Sequence, residues 1–205
     1  MTVDYAKETA ELLHQGQFRA DGVTPYIEHP RVVAELVTKF GGSEKAVCLA
    51  WLHDIMEENA EGTREFIGLE NIMSKAKWYM ELKRKKLEAW MDIAFDLAKL
   101  SDHWDSDQQD IETRGKMAYL TSLLLDANQD VLLVKLCDML ANIRESGGKR
   151  MNQEKRYLVA VRGLMNAERM DLTKEHRALC EEIRTLVHEH LMGNSIGSIN
   201  NGTDK

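Results

Sequence analysis

A chain of 205 residues that is 43% hydrophobic can bury one full core as a single domain. Its formal net charge of −7 and pI near 5.5 argue against a nucleic-acid polymer or an anionic membrane as partner, since either would need a dominant basic face. Cys48, Cys137 and Cys180 are far apart with no C-x-x-C spacing and read as reduced, buried thiols. With no cationic leader and no run of about 18 apolar residues, the protein is expected to be soluble and cytoplasmic.

Both prolines lie in "GVTPYIEHPRVV", so nearly all of the chain is free to be helical. Apolar residues repeat at helical period from about Tyr5 to Phe18. Pro30 then suits the first turn of a second helix carrying Val32, Val33, Leu36 and Val37, and Gly41 and Gly42 stop it. Ser43 is a suitable N-cap for a third helix, which ends in "AWLHDIMEEN". Further helical patterns cover about Glu65 to Leu100, Ile111 to Ala127, Asp130 to Arg144, Asn152 to Met165 and Thr173 to Leu191. No stretch alternates long enough to read as a strand, so the fold class is all-α. The tail "GNSIGSINNGTDK" has too little large apolar content to pack and reads as disordered.

The stretch from Ala50 to Asn59 puts His53, Asp54, Glu57 and Glu58 at the end of an apolar run, where an ordinary amphipathic helix would spread its charges along one side. Two further segments supply candidate partners. His29 stands at the mouth of a helix in "YIEHP", and Asp138 interrupts the apolar "VLLVKLCDMLANI". A buried lone carboxylate is costly, so Asp138 requires a cation, a histidine or a metal. Two imidazoles and two carboxylates make a plausible octahedral site for a borderline divalent ion such as Mn²⁺; the alternative is a buried His/Asp hydrogen-bond network. Glu57 is four residues beyond His53, and Glu58 four beyond Asp54, so the acids are expected on the ligand face one turn further along, where they could move protons. Asn142, four residues after Asp138, is expected to face the same cavity and to touch only a ligand.

The segments "HQGQFRADGVTPYIEHPRVVAEL", "LHDIMEEN" and "VLLVKLCDMLANIRE" together resemble the hydrolase domain of RelA/SpoT-type alarmone enzymes, and more closely the small stand-alone alarmone hydrolases of the metazoan SpoT homologue type. The resemblance covers about residues 5 to 165. It implies an HD-domain helical bundle, a Mn²⁺ cofactor held by His29, His53, Asp54 and Asp138, and catalytic acids at Glu57 and Glu58. It also implies nucleotide contacts from Arg19 and Asn142, and removal of the 3′-pyrophosphate from guanosine tetra- or pentaphosphate, the reaction of the stringent response. Glu145 stands where many relatives carry threonine near the substrate. The expected organisation is one HD hydrolase domain over 1–192, with an added helix around 67–90 and a tail over 193–205. No synthetase domain is expected in so short a chain.

Several conspicuous residues have plainer readings. His14 reads as a packed residue or one standing behind the ligands, "HEH" at His188 to His190 as a solvated helix end, and Lys83 to Lys86 as a solvated face. Tyr26 and Trp51 are expected to pack, with Tyr26 close enough to the site to stack on a base. Two rival functions remain open: an HD hydrolase of another phosphorylated nucleotide or cofactor, and a nucleotide-binding regulatory module without catalysis. Intact Glu57 and Glu58 weigh against the second.

Overall fold

The computed structural model describes residues 1–59, 62, 63, 66, 90, 96, 97, 100, 120, 123–167 and 171–200. Among them are seven helices: α1 (Val3–Leu13), α2 (Glu28–Lys39), α3 (Glu44–Leu52), α4 (Ile55–Glu58), α5 (Gln129–Ser146), α6 (Met151–Asn166) and α7 (Lys174–Asn200). The only β pairing among the described residues is an isolated bridge between Phe18 and Pro25. The fold is all-α, as the helical period of the sequence requires. No described helix is long and apolar enough to cross a membrane.

Local signals explain most of the helix ends. Ser43 caps α3 by accepting from the Ala46 N–H at 3.0 Å, and its hydroxyl also donates to Asp130 on α5 at 2.8 Å. Asn128 caps α5 by accepting from the Val131 N–H at 3.0 Å, and Gly147 ends that helix in a left-handed conformation. Gly42 serves a different purpose: a Cβ there would meet Val37 Cγ1 at 2.4 Å, so only glycine lets the chain leave α2 so closely.

The first helix is shorter than its apolar period suggests. It ends at Leu13, His14 caps it, and Gly16 takes φ 76°. The chain then doubles back through Arg19 N to Thr24 O at 2.8 Å and Tyr26 N to Gln17 O at 2.9 Å. Asp21 organises the tip, accepting from the Val23 and Thr24 N–H groups at 2.9 and 2.8 Å and from the Thr24 hydroxyl at 2.6 Å. Those hydrogen bonds, the Thr24 hydroxyl first, bring the Asp21 carboxyl down to about 2. Loop-forming chemistry thus outcompetes the helical period between Leu13 and Phe18, and the loop that follows carries Arg19 and Tyr26 to one place.

Helix α3 packs on α1, α2 and α5, while α5 packs on α2, α3 and α7. Apolar on nearly every side, α5 buries Leu132, Leu136, Met139 and Leu140 completely. Truncating one such leucine to alanine would cost about 2–5 kcal/mol. Cys48, Cys137 and Cys180 are free and buried, as their apolar contexts suggest. Trp51 packs as expected, with Lys7 Nζ 5.9 Å above its ring.

The expected added helix around 67–90 and the lysine-rich cluster at 83–86 lie outside the described residues, except that Trp90 is helical and buried. Helix α7 continues to Asn200, past position 192, where the sequence reading ends the folded part. No proline stands there to stop it.

Candidate metal centre

Three chain segments deliver the site. Pro30 in the first turn of α2 fixes the start of that helix and places the preceding His29 in the interior, 6% exposed. His53 and Asp54 follow α3 in a turn before α4 begins, both buried. The sequence expectation of one helix through "LHDIMEE" is therefore corrected: α3 stops at Leu52, and the Asp54 carbonyl accepts from both Glu57 N at 3.0 Å and Glu58 N at 2.9 Å. The break turns both ligand-type side chains inward together. Asp138 comes from the middle of α5, 4% exposed.

His29, His53 and Asp138 bring ligand atoms within 4.8 Å of one another, a grouping able to hold a metal ion. Asp54 completes the circle, with its Oδ1 3.1 Å from His53 Nε2 and its Oδ2 3.6 Å from His29 Nε2. Asp138 Oδ1 lies 3.2 Å from His29 Nε2 and 3.8 Å from His53 Nε2.

The tautomer of His53 tests whether a cation fits. Its Nδ1 is 2.8 Å from the Ala50 carbonyl, which can only accept, so Nδ1 carries the proton and Nε2 presents a lone pair. That buried Nε2 has no hydrogen-bond partner, although two carboxylate oxygens face it. Lone pairs converging on one point repel unless a positive charge sits among them, and an imidazole steered by a backbone carbonyl is the usual arrangement of a metal-ligating histidine. The donor set, two nitrogens and two carboxylates, suits a borderline divalent ion.

The surrounding residues hold these side chains in place. Lys135 Nζ donates to Asp138 Oδ2 at 2.8 Å, and Asn142 Nδ2 donates to Oδ1 at 2.6 Å. Burial alone would push the Asp138 carboxyl up, but Lys135 and the facing imidazoles hold it well below the usual carboxylate range. Asp54 is likewise depressed against its burial by His53 and His29. The Tyr26 hydroxyl donates to Asp54 Oδ2 at 2.7 Å, and burial next to that carboxylate pushes the phenol far up, so it stays a donor.

The remaining predicted residues stand around this centre. Glu58 is exposed and Glu57 half-buried at the end of α4, and the Glu57 charge acts on Lys135. Arg19 donates from Nε and Nη2 to Glu145 at 3.1 and 2.5 Å, and from Nη2 to Asn142 Oδ1 at 3.3 Å; its guanidinium lies 4.9 Å over the Tyr26 ring. Asn142 thus bridges Asp138 and Arg19, which corrects the expectation that it would touch a ligand alone. Tyr26 is 7% exposed and stacked on His14 at 4.8 Å, a face therefore already covered.

Beside His29 opens a cavity of about 320 Å³ lined by Arg19, Asp21, Thr24, Val32, Ala141 and Glu145 among others. Its size suits part of a small molecule. Sequence reasoning missed Lys135, Glu145 as the partner of Arg19, and Gln17, whose Nε2 donates to the Glu58 carbonyl at 3.1 Å. For Lys135 a signal existed: a lysine three residues before a buried aspartate shares its helix face. The other two contacts join positions 126 and 41 residues apart.

The HD domain family model matches residues 6–164. The chain belongs to the HD domain family. Guanosine-3′,5′-bis(diphosphate) 3′-pyrophosphohydrolase of Haemophilus influenzae is 27% identical over 143 residues, 70% of this chain and 18% of the relative. The protein of that name from Borreliella burgdorferi is 40% identical over 62 residues, 30% of this chain and 9% of the relative. GTP pyrophosphokinase rsh of Brucella melitensis is 30% identical over 151 residues, 72% of this chain and 17% of the relative. The chain thus spans less than a fifth of each. Family membership and these relatives support an HD phosphohydrolase resembling the RelA/SpoT hydrolase domain.

Proposed function

We propose that the protein is a Mn²⁺-dependent hydrolase that removes the 3′-pyrophosphate of guanosine tetra- or pentaphosphate, giving GDP or GTP and pyrophosphate. The observation carrying this reading is the convergence of His29, His53 and Asp138 within 4.8 Å, with the His53 Nε2 lone pair bare. The names of the similar proteins support the choice of nucleotide.

His29, His53, Asp54 and Asp138 would hold the ion, with Lys135, Asn142 and Tyr26 fixing the carboxylates. When bound, a divalent ion supplies a Lewis acid that eases deprotonation of water and neutralises charge on a phosphoryl oxygen. Glu57 takes the proton from the attacking water, and Glu58, at the exposed end of α4, delivers one to the ribose 3′ oxygen as it leaves. The nucleoside would occupy the cavity beside His29. Its cations, Arg19 and Arg144, are already matched by Glu145 and Glu182, so it suits an uncharged base better than a phosphate. The nucleotide's phosphates would then lie toward the ligand cluster.

Purified protein incubated with Mn²⁺ and a panel of nucleotides, with products separated by chromatography, tests this reading. GDP plus intact pyrophosphate from ppGpp is expected. An untouched ppGpp alongside rapid turnover of another phosphorylated compound would transfer the activity to a different substrate.

A further inference from the structure

Two buried imidazole nitrogens have no hydrogen-bond partner among the described residues: His53 Nε2 and His14 Nε2. The first points among the metal-ligand candidates. The second belongs to a residue with no part in the reaction described above, at the C-terminal cap of α1 and 2% exposed.

The tautomer of His14 follows from its neighbour. His14 Nδ1 lies 2.7 Å from Gln17 Oε1. The other end of that amide settles which group donates, because Gln17 Nε2 donates to the Glu58 carbonyl, which can only accept. The amide oxygen is therefore left for His14, Nδ1 carries the proton, and Nε2 keeps its lone pair. Burial pushes the imidazole below its ordinary value despite the Gln17 hydrogen bond, so the ring stays neutral at pH 7.

The position of that lone pair is informative. His14 begins a succession of rings that leads to the ligand cluster, with centroids 4.8 Å apart from His14 to Tyr26, 6.4 Å from Tyr26 to His29 and 5.3 Å from His29 to His53. The charges of Asp54, His53 and Glu58 all act on it. Gln17 also ties it directly to the backbone of the acid-bearing turn. A buried acceptor with nothing to accept is unfavourable, and beside the ligand-type cluster it marks the place of a group that arrives with the reaction.

We propose that His14 is a further residue of the reaction site, whose Nε2 accepts a hydrogen bond from an O–H group of the bound reacting assembly on the Glu58 side. This rests on the hydrolase reading above. Two O–H groups meet the description: the attacking water and a ribose hydroxyl of the nucleotide.

The test has two independent arms. In the metal-stripped whole protein, ¹⁵N spectra of labelled histidine, assigned by loss of the signal in His14→Asn, should report the Nδ1–H tautomer at His14. An Nε2–H tautomer would overturn the proposal whatever the substrate. For kinetics, His14→Asn retains an N–H toward Gln17 but offers nothing at Nε2, whereas His14→Gln puts an amide oxygen near that point. His14→Asn should lower kcat about tenfold, the equivalent of one hydrogen bond, with Mn²⁺ content and Tm unchanged, and His14→Gln should recover most of the loss. Wild-type kcat/KM in His14→Asn, or equal loss of metal in both variants, would contradict it. A ppGpp analogue lacking the ribose 2′ hydroxyl separates the donors. If the hydroxyl donates, the wild type is already slow on the analogue and His14→Asn adds nothing. If water donates, the Asn penalty is the same on both substrates. A wild type that leaves every nucleotide intact refutes the hydrolase reading, and the tautomer measurement still judges His14.

Discussion

Two groupings of carboxylate and imidazole meet at α5, and only one of them is self-sufficient. At the junction of α5, α6 and α7, Glu154 is 1% exposed; its Oε1 accepts from the Ser146 hydroxyl and its Oε2 lies 2.7 Å from His190 Nδ1. Both carboxylate oxygens have partners, and His190 is half-exposed. Around Asp138, by contrast, the carboxylate oxygens are satisfied by Lys135 and Asn142 while the His53 Nε2 facing them is bare. A polar network that closes on itself fastens helices together. One that keeps a directed lone pair open is built for something the chain does not supply.

Removing the most connected of the proposed ligands should break this contrast most severely. Asp138→Asn takes away a charge that Lys135 and the cation both require, so Mn²⁺ affinity should fall by at least about 100-fold, more than is usual for a supporting residue, and hydrolysis should go with it. Metal analysis and steady-state kinetics check this. Retained occupancy would mean that Asp138 is not a ligand. Next in size, Glu57→Gln should lower kcat by about 10²- to 10⁴-fold while metal stays bound, as measured by kinetics alongside metal content. Near-normal turnover would remove Glu57 from the proton path.

Asn142 sharpens the comparison because it belongs to the supporting network. Its amide donates to Asp138 and accepts from Arg19, so Asn142→Ala should weaken Mn²⁺ binding by about 10- to 100-fold and also raise KM. Unchanged metal affinity would show that the Asp138 contact is incidental. At the self-contained junction, Glu154→Gln should cost about 1–3 kcal/mol of stability by leaving one buried partner mismatched, with kcat and metal content at wild-type values. Thermal melts and kinetics on one preparation decide between a fastening and a functional role.

The smallest effect is in acid. Asp138 titrates below its ordinary value in the folded protein, so the stability it contributes is present above about pH 4 and lost as pH falls toward the folded value. In the metal-stripped protein, the Tm difference between wild type and Asp138→Asn should therefore shrink as the pH is lowered through that range. A difference that grows on acidification would reverse the sign.

What could be read in the sequence is local chemistry in an apolar setting. His29 before Pro30, His53 and Asp54 at the end of an apolar run, and Asp138 inside one all stood out, because helices bury such runs and polar interruptions need partners. Helix starts at Ser43 and the all-α class followed from capping and period. What stayed hidden was non-local or cooperative. Nothing in "QFRADGVT" reveals that Arg19 meets Glu145, or that Tyr26 spends its hydroxyl on Asp54. The end of α1 was misplaced because an apolar period continued into a segment where Gly16 and the Asp21 turn win. His190, read as part of a solvated helix end, is tied to a glutamate 36 positions earlier.

The central claim is that the open cluster, and not the closed one, takes the ion. Crystals grown with Mn²⁺ and measured at the manganese absorption edge would locate it directly. The account predicts one anomalous peak bounded by His29 Nε2, His53 Nε2, Asp54 and Asp138 Oδ1. A Mn²⁺-saturated protein with no peak there, or with its peak beside Glu154 and His190, would contradict it.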